Sequence, residues 1–117
     1  MEYFKIEEFE SPDLPGSGEF MDPVLLEMLD HTRMLYGKPI NISSGYRTIA
    51  HNKEVGGVPT SSHLLGLAVD IRCANSRERF DLINVLLKKG FNRIGVGSTF
   101  IHVDIDLDKS PNVIWTY

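Results

Sequence analysis

The stretch Ser61-Ser62-His63-Leu64-Leu65-Gly66-Leu67-Ala68-Val69-Asp70 carries the reading on which the rest of the chain turns. A His and an Asp are separated in it by a loop, a glycine and the start of an apolar run. Gly66 to Arg72 (GLAVDIR) has β-type composition, so Asp70 falls on a strand and His63 on the loop leading into it. A second element, Phe100-Ile101-His102-Val103-Asp104, alternates polar and apolar residues. Alternation along a strand puts His102 and Asp104 on one face, with Ile101, Val103 and Ile105 on the other. A His and an Asp on a core-lining face are costly to bury unless something satisfies them, and a metal ion does that well.

Catalytic zinc sites use three protein ligands and leave a fourth position open. Two histidines and one aspartate leave such a site with a net positive charge, which acidifies water. Nitrogen-plus-carboxylate ligation also favours zinc over magnesium or calcium. His-x6-Asp is not a specific signal by itself, however. The same residues equally suit a loop-capping His63, a strand-ending Asp70 and a satisfied core His102. His31 and His51 fall on predicted helices, where packing or solvent is the expectation.

Outward from these elements, Asp22-Pro23 is a helix start with Asp as N-cap and Pro at the first helical position. Val24, Leu25, Met28, Leu29, Thr32, Leu35 and Tyr36 follow at helical spacing, and Gly37 is placed to stop the helix. Residues 11–21 (SPDLPGSGEFM) read as an irregular surface segment. Pro39 to Ser44 is a β-type run, Arg47 to Glu54 a short helix, and Gly56-Gly57-Val58-Pro59 a break. Ser76 is expected to cap a third helix running through Lys89, with Phe80, Ile83, Val85, Leu86 and Leu87 as its apolar face. Strands are expected at Arg93–Val96, Phe100–Asp106 and Val113–Tyr117, the first two paired as a hairpin across the turn Gly95-Val96-Gly97-Ser98. The pattern predicts one α+β domain over residues 1–117, a small antiparallel sheet flanked by helices.

Composition sets the outer limits. A chain of 117 residues with 42% apolar content fits one domain with a single core. A net charge of −4 with scattered basic residues speaks against a nucleic-acid partner. No apolar run approaches a membrane span. The first residues lack the basic and apolar regions of a signal peptide, which leads to the expectation of a product made in the cytoplasm. Cys73 stands alone, so no disulfide framework is possible, and beside an apolar run it reads as a small core residue.

The wider pattern is specific. Ser44-Gly45-Tyr46-Arg47-Thr48, Asn52, Val55-Gly56-Gly57-Val58, Ser61-x-His63-x-x-Gly66-x-Ala68-x-Asp70-Ile71 and Phe100-Ile101-His102-Val103-Asp104 occur in that order. Together they closely resemble the zinc D-alanyl-D-alanine carboxypeptidase family. Its fold is shared by vancomycin-resistance dipeptidases, phage L-alanyl-D-glutamate endopeptidases and the zinc domain of hedgehog proteins. The motif-bearing core covers residues 39–106. The resemblance implies His63, Asp70 and His102 as zinc ligands and Arg47 as the group steadying the scissile carbonyl or tetrahedral intermediate. It further implies that Ser61 orients His63 or touches the substrate, and that Tyr46 and Asn52 buttress the site. The implied substrate is a peptidoglycan stem peptide, cut by carboxypeptidase or endopeptidase action at the bacterial cell wall. The small size and the lack of signal-peptide features lead to the expectation of a monomeric phage or prophage endolysin.

One departure stands out. Several relatives carry an acidic general base three residues before the last histidine, where this chain has Thr99. Asp104 is the best remaining carboxylate nearby. It suits either the base that takes a proton from the attacking water or an acceptor fixing a histidine ring. Loss of the acid at Thr99 also leaves open a zinc-binding recognition domain without catalysis.

Overall fold

Local signals set the helices of the computed structural model, which describes residues 1–117. Helix α1 spans Pro23–Tyr36, and the Asp22 side chain accepts from the amides of Val24 and Leu25. Gly37 closes it in a left-handed conformation at φ 74°. Helix α2 is Ile49–Glu54, starting later than the sequence suggests because Thr48 caps it through the His51 amide. Helix α3 is Ser76–Lys88, and its cap is Asn75, not Ser76: the Asn75 side chain accepts from the Glu78 amide.

The buried face of α3 also differs from expectation. Leu82 and Leu86 enter the core, Ile83 packs against it, and Phe80 and Leu87 are exposed. Burial follows the 82–86 stripe, spaced one helical turn, and Phe80 points off that stripe. The segment from residue 11 to 21 is better anchored than its composition suggests. Ser11, Ser17 and Met21 are buried, and a 3-10 turn spans Ser17–Phe20.

Five strands form one sheet in the order β1-β2-β4-β3-β5: β1 Ile42–Ser44, β2 Ala68–Arg72, β3 Arg93–Val96, β4 Phe100–Asp104 and β5 Val113–Thr116. The β3–β4 hairpin forms as predicted, but Gly95 and Val96, expected in its turn, are paired residues of β3; β1–β2 and β2–β4 are also antiparallel. Strand β5 departs from the all-antiparallel expectation by pairing with β3 in parallel. One face of the sheet carries Val69, Ile71, Ile94, Ile101 and Val103. These join Leu25 and Leu29 of α1, Leu82 and Leu86 of α3, Phe9 and Phe91 in a single cluster of 15 buried residues. No helix is long and apolar enough to cross a membrane.

Register puts the polar residues of the other face in rows across the strands. Asp70 stands opposite His102, His102 opposite Gly95, and Gly95 opposite Trp115. In the neighbouring row Ala68 stands opposite Asp104, while Arg93 pairs with Val113. The side-chain period of two gives the sheet one dry face and one chemical face.

Candidate metal centre

His63 sits in a 3-10 turn, Ser62–Leu65, whose cap is Ser61: the Ser61 hydroxyl accepts from the His63 amide at 3.2 Å. The turn ends at Gly66 with φ 70°, and a Cβ there would lie 2.1 Å from the Phe20 carbonyl oxygen. Only glycine satisfies both that conformation and that approach. The segment following β1 is stitched to the same turn. The His63 carbonyl accepts from the Arg47 amide at 3.1 Å, and His63 Nδ1 donates to the Gly45 carbonyl at 2.7 Å. With Nδ1 committed as donor, Nε2 is the nitrogen left for a metal.

Asp70 lies in β2 directly opposite His102 in β4. Its Oδ1 is 3.3 Å from His63 Nε2 and 3.0 Å from His102 Nδ1. The far edge of the His102 ring is fixed by Asp104, whose Oδ2 is 2.8 Å from Nε2. Asp104 has no free oxygen, since its Oδ1 accepts from Arg93 Nε at 2.7 Å and from the Asp106 amide at 3.2 Å. His63, Asp70 and His102 are all buried, and one ligand atom from each lies within 4.8 Å of the others. Atoms sharing a tetrahedral ion at about 2.1 Å lie about 3.4 Å apart. The 3.0 and 3.3 Å separations are already close to that spacing. The donor set, its burial and the two committed outer ring nitrogens therefore fit a zinc-type ion.

Electrostatics tie the group together. Burial alone would raise the Asp70 carboxyl, but hydrogen bonds from His102 and His63 outweigh it and hold the group below the carboxylate range. Burial likewise opposes a charged His102, yet its bonds to Asp104 and Asp70 push the imidazole up. For Asp104, burial raises and the bonds from His102 and Arg93 lower, with the lowering dominant. Arg47 gives one N–H from each guanidinium nitrogen to an acceptor, Ser44 Oγ at 2.9 Å, Asn52 Oδ1 at 3.2 Å and Asp70 Oδ2 at 3.1 Å, and keeps the remaining N–H groups of its two terminal nitrogens. Asn52 in turn donates to the Val58 carbonyl and so fixes the Gly56-Gly57 turn against Arg47.

These residues open onto a cavity of about 480 Å³. The Val55–Val58 turn lines it beside Arg47, and Phe100, Trp115 and Tyr117 line it from the β4–β3–β5 side. A cavity of about 560 Å³ elsewhere holds none of His63, Asp70 or His102. The structure thus brings Arg47, Ser61, His63, Asp70, His102 and Asp104 to one place. His31 is exposed on α1, His51 lies on α2, and neither belongs to the metal-type group. Thr99 is exposed and lies outside the cavity lining. Sequence reasoning missed Arg93, Trp115 and Tyr117. Trp115 and Tyr117 are two apart, as residues on one strand face are, but nothing local says which strand they or Arg93 pair with.

The model of the family described as Peptidase M15 matches residues 2–105. No curated protein matches the chain.

Proposed function

The chain belongs to the peptidase M15 family, and on that footing we propose that it is a zinc-dependent hydrolase of peptidoglycan stem peptides, cutting a bond that involves a D-amino acid. The carrying observation is the buried His63–Asp70–His102 group, with one nitrogen of each ring committed elsewhere and the other turned toward Asp70. Zinc held there supplies Lewis-acid polarisation of the scissile carbonyl and acidification of water.

The chain's own residues supply the remainder. Arg47 is the oxyanion-side donor: its guanidinium lines the cavity beside Asp70 and offers planar, charged N–H groups to a developing negative oxygen. Ser61 holds the His63 turn through its hydroxyl. Asp104 is assigned here as a positioning residue, because its oxygens are taken by His102, Arg93 and the Asp106 amide. The proposed protein works as a monomer at the cell wall, where that substrate lies, in the manner of an endolysin.

A second reading is a zinc-binding recognition domain for the same peptides. The observation in its favour is that the only carboxylates lining the cavity are Asp70 and Asp104, both already engaged. Metal analysis of the purified protein, with mass spectrometry of stem pentapeptide incubated with it, separates the two. The hydrolase reading expects one zinc per chain and peptide fragments. It also expects a loss of about 10²–10³ in kcat for Arg47→Ala with zinc retained. Stoichiometric zinc with an intact peptide at every enzyme concentration would leave the recognition reading standing.

A further inference from the structure

Gly95 in β3 and Gly97 just past its end clear this stretch of the chemical face, and aromatic rings from β4, β5 and the residue after β5 lie over the gap. A Cβ at Gly95 would fall 2.8 Å from the Trp115 ring and 2.9 Å from the Tyr117 ring, and one at Gly97 would meet the Phe100 ring. With no side chain between them, Trp115 of β5 leans across β3 onto His102 of β4, ring centroids 5.5 Å apart. The Tyr117 ring lies 5.1 Å from that of Phe100, tilted by 52°, and 6.4 Å from that of Trp115, edge-on at 61°. The Arg93 guanidinium lies 5.0 Å from the Trp115 ring centre.

These rings are not core. Phe9 and Phe91 are 0% and 1% exposed, whereas Trp115 is only partly buried and Tyr117 is 71% exposed. Both line the cavity that holds the metal-type group. Burial of the Tyr117 phenol against the cleft, helped by the charges of Asp70 and Asp104 and opposed by Arg47, pushes it up. On this side of the cleft both cations are held by protein acceptors. Arg93 is paired with Asp104 and the Ser110 carbonyl, and Lys109 with the Thr60 carbonyl and Ser62. What the wall offers a ligand is therefore flat apolar area. Aromatic rings supply it at low entropic cost, since each fixes only two side-chain torsions.

We propose that Trp115 and Tyr117 form the substrate-binding wall of the cleft, with Tyr117 as a specificity-determining residue that packs on an apolar side chain of a peptide extended over the His63–Asp70–His102 group. The proposal rests on the peptide-substrate reading given above, and its test does not depend on turnover. Trp115 is the only tryptophan of the chain, so its emission reports on this wall alone.

The experiment titrates zinc alone, then titrates the zinc-loaded protein with a phosphinate analogue of a stem pentapeptide. The wild-type emission is expected to change in both steps. Tyr117→Ala should raise the analogue Kd about tenfold, which corresponds to about 1.4 kcal/mol. It should keep one zinc per chain, and Tyr117→Phe should stay within about twofold of wild type because the ring face makes the contact. Trp115→Phe, followed by calorimetry, should also retain most of the affinity. A response to zinc with none to the analogue would overturn the wall, as would an unchanged Kd in Tyr117→Ala with a lowered melting temperature. A protein that binds the analogue through this wall yet never cleaves the peptide removes the hydrolase reading and leaves the wall in place.

Discussion

His102 Nε2 lies 2.8 Å from Asp104 Oδ2, two residues along the same strand, and the other oxygen of Asp104 takes the Arg93 Nε at 2.7 Å from the next strand. Adjacent same-face positions on a strand thus become a ring and its brace. The brace settles which imidazole nitrogen faces Asp70, because Nε2 is held by Asp104 and Nδ1 is turned inward. A carboxylate used on both sides is poorly placed to take up a further proton, which is why we assign Asp104 to positioning.

Asp104→Ala should weaken zinc affinity about 10- to 100-fold, the usual effect of removing the partner of a metal-bound histidine. Competition with a chelating dye measures it. Asp104→Asn keeps an acceptor oxygen for His102 while giving up the charge that pairs with Arg93, so its loss should be smaller. Equal affinities for wild type and the alanine variant would refute the brace.

Zinc should stabilise the folded chain through the same group. An ion that binds only the folded state adds about 2.7 kcal/mol at a hundredfold excess over its Kd. Thermal melts with zinc, and with a chelator, should differ accordingly. In His63→Ala the difference should vanish, since one of the three ligands is gone. A melting curve of the wild type indifferent to zinc would count against the site.

Two glycines separate conformational from steric strain. Gly37 has φ 74° with nothing within 4 Å of an added Cβ, whereas Gly66 has φ 70° and an added Cβ 2.1 Å from the Phe20 oxygen. Gly37→Ala should destabilise by about 1 kcal/mol, the penalty of left-handed backbone alone. Gly66→Ala should cost at least about 3 kcal/mol, because the clash is with main chain, and should displace the His63 turn. Chemical denaturation gives both values, and equal losses would show that the Phe20 approach is unimportant.

Acid should loosen the segment before α1. Hydrogen bonds from Ser11 Oγ and Thr48 Oγ1, each at 2.5 Å, hold the exposed Asp13 carboxyl below its ordinary value of 3.8. A carboxyl depressed in the folded state contributes stability that is present above its unfolded pKa and lost as pH falls through the folded one. The tie between residues 11–13 and Thr48 should therefore be intact at neutral pH and weaken below about pH 4. A carboxyl-detected NMR titration reads it directly. In Asp13→Asn the Thr48 resonances should lose this low-pH step, and an Asp13 midpoint at or above 3.8 in the wild type would contradict the contact.

The elements legible from sequence were those fixed by near neighbours. Helix α1 was read to the residue because Asp22, Pro23 and Gly37 act within a turn of themselves. Strand β4 was read with its faces because alternation is local. Even there, short range misled at α3, where Asn75 and Ser76 are adjacent competent caps and only the Glu78 amide shows which one caps. Phe80 is apolar and at helical spacing, yet the stripe that meets α1 runs through Leu82 and Leu86.

The chain by itself determined the metal-type trio, through the ordered glycine, serine and arginine framework around His63, Asp70 and His102, and with it the family resemblance. Tertiary structure alone decided how those residues meet. Asp70 and His102 are 32 positions apart and become opposite partners through the β2–β4 register. Arg93 braces Asp104 from an adjacent strand, and Trp115 reaches His102 across Gly95 because the β3–β5 register sets it beside a residue with no side chain. Caps and alternation act through bonds between residues one to four apart and so are written in the sequence. Strand order and register are set by which distant apolar faces bury together, and no short window of sequence contains that choice.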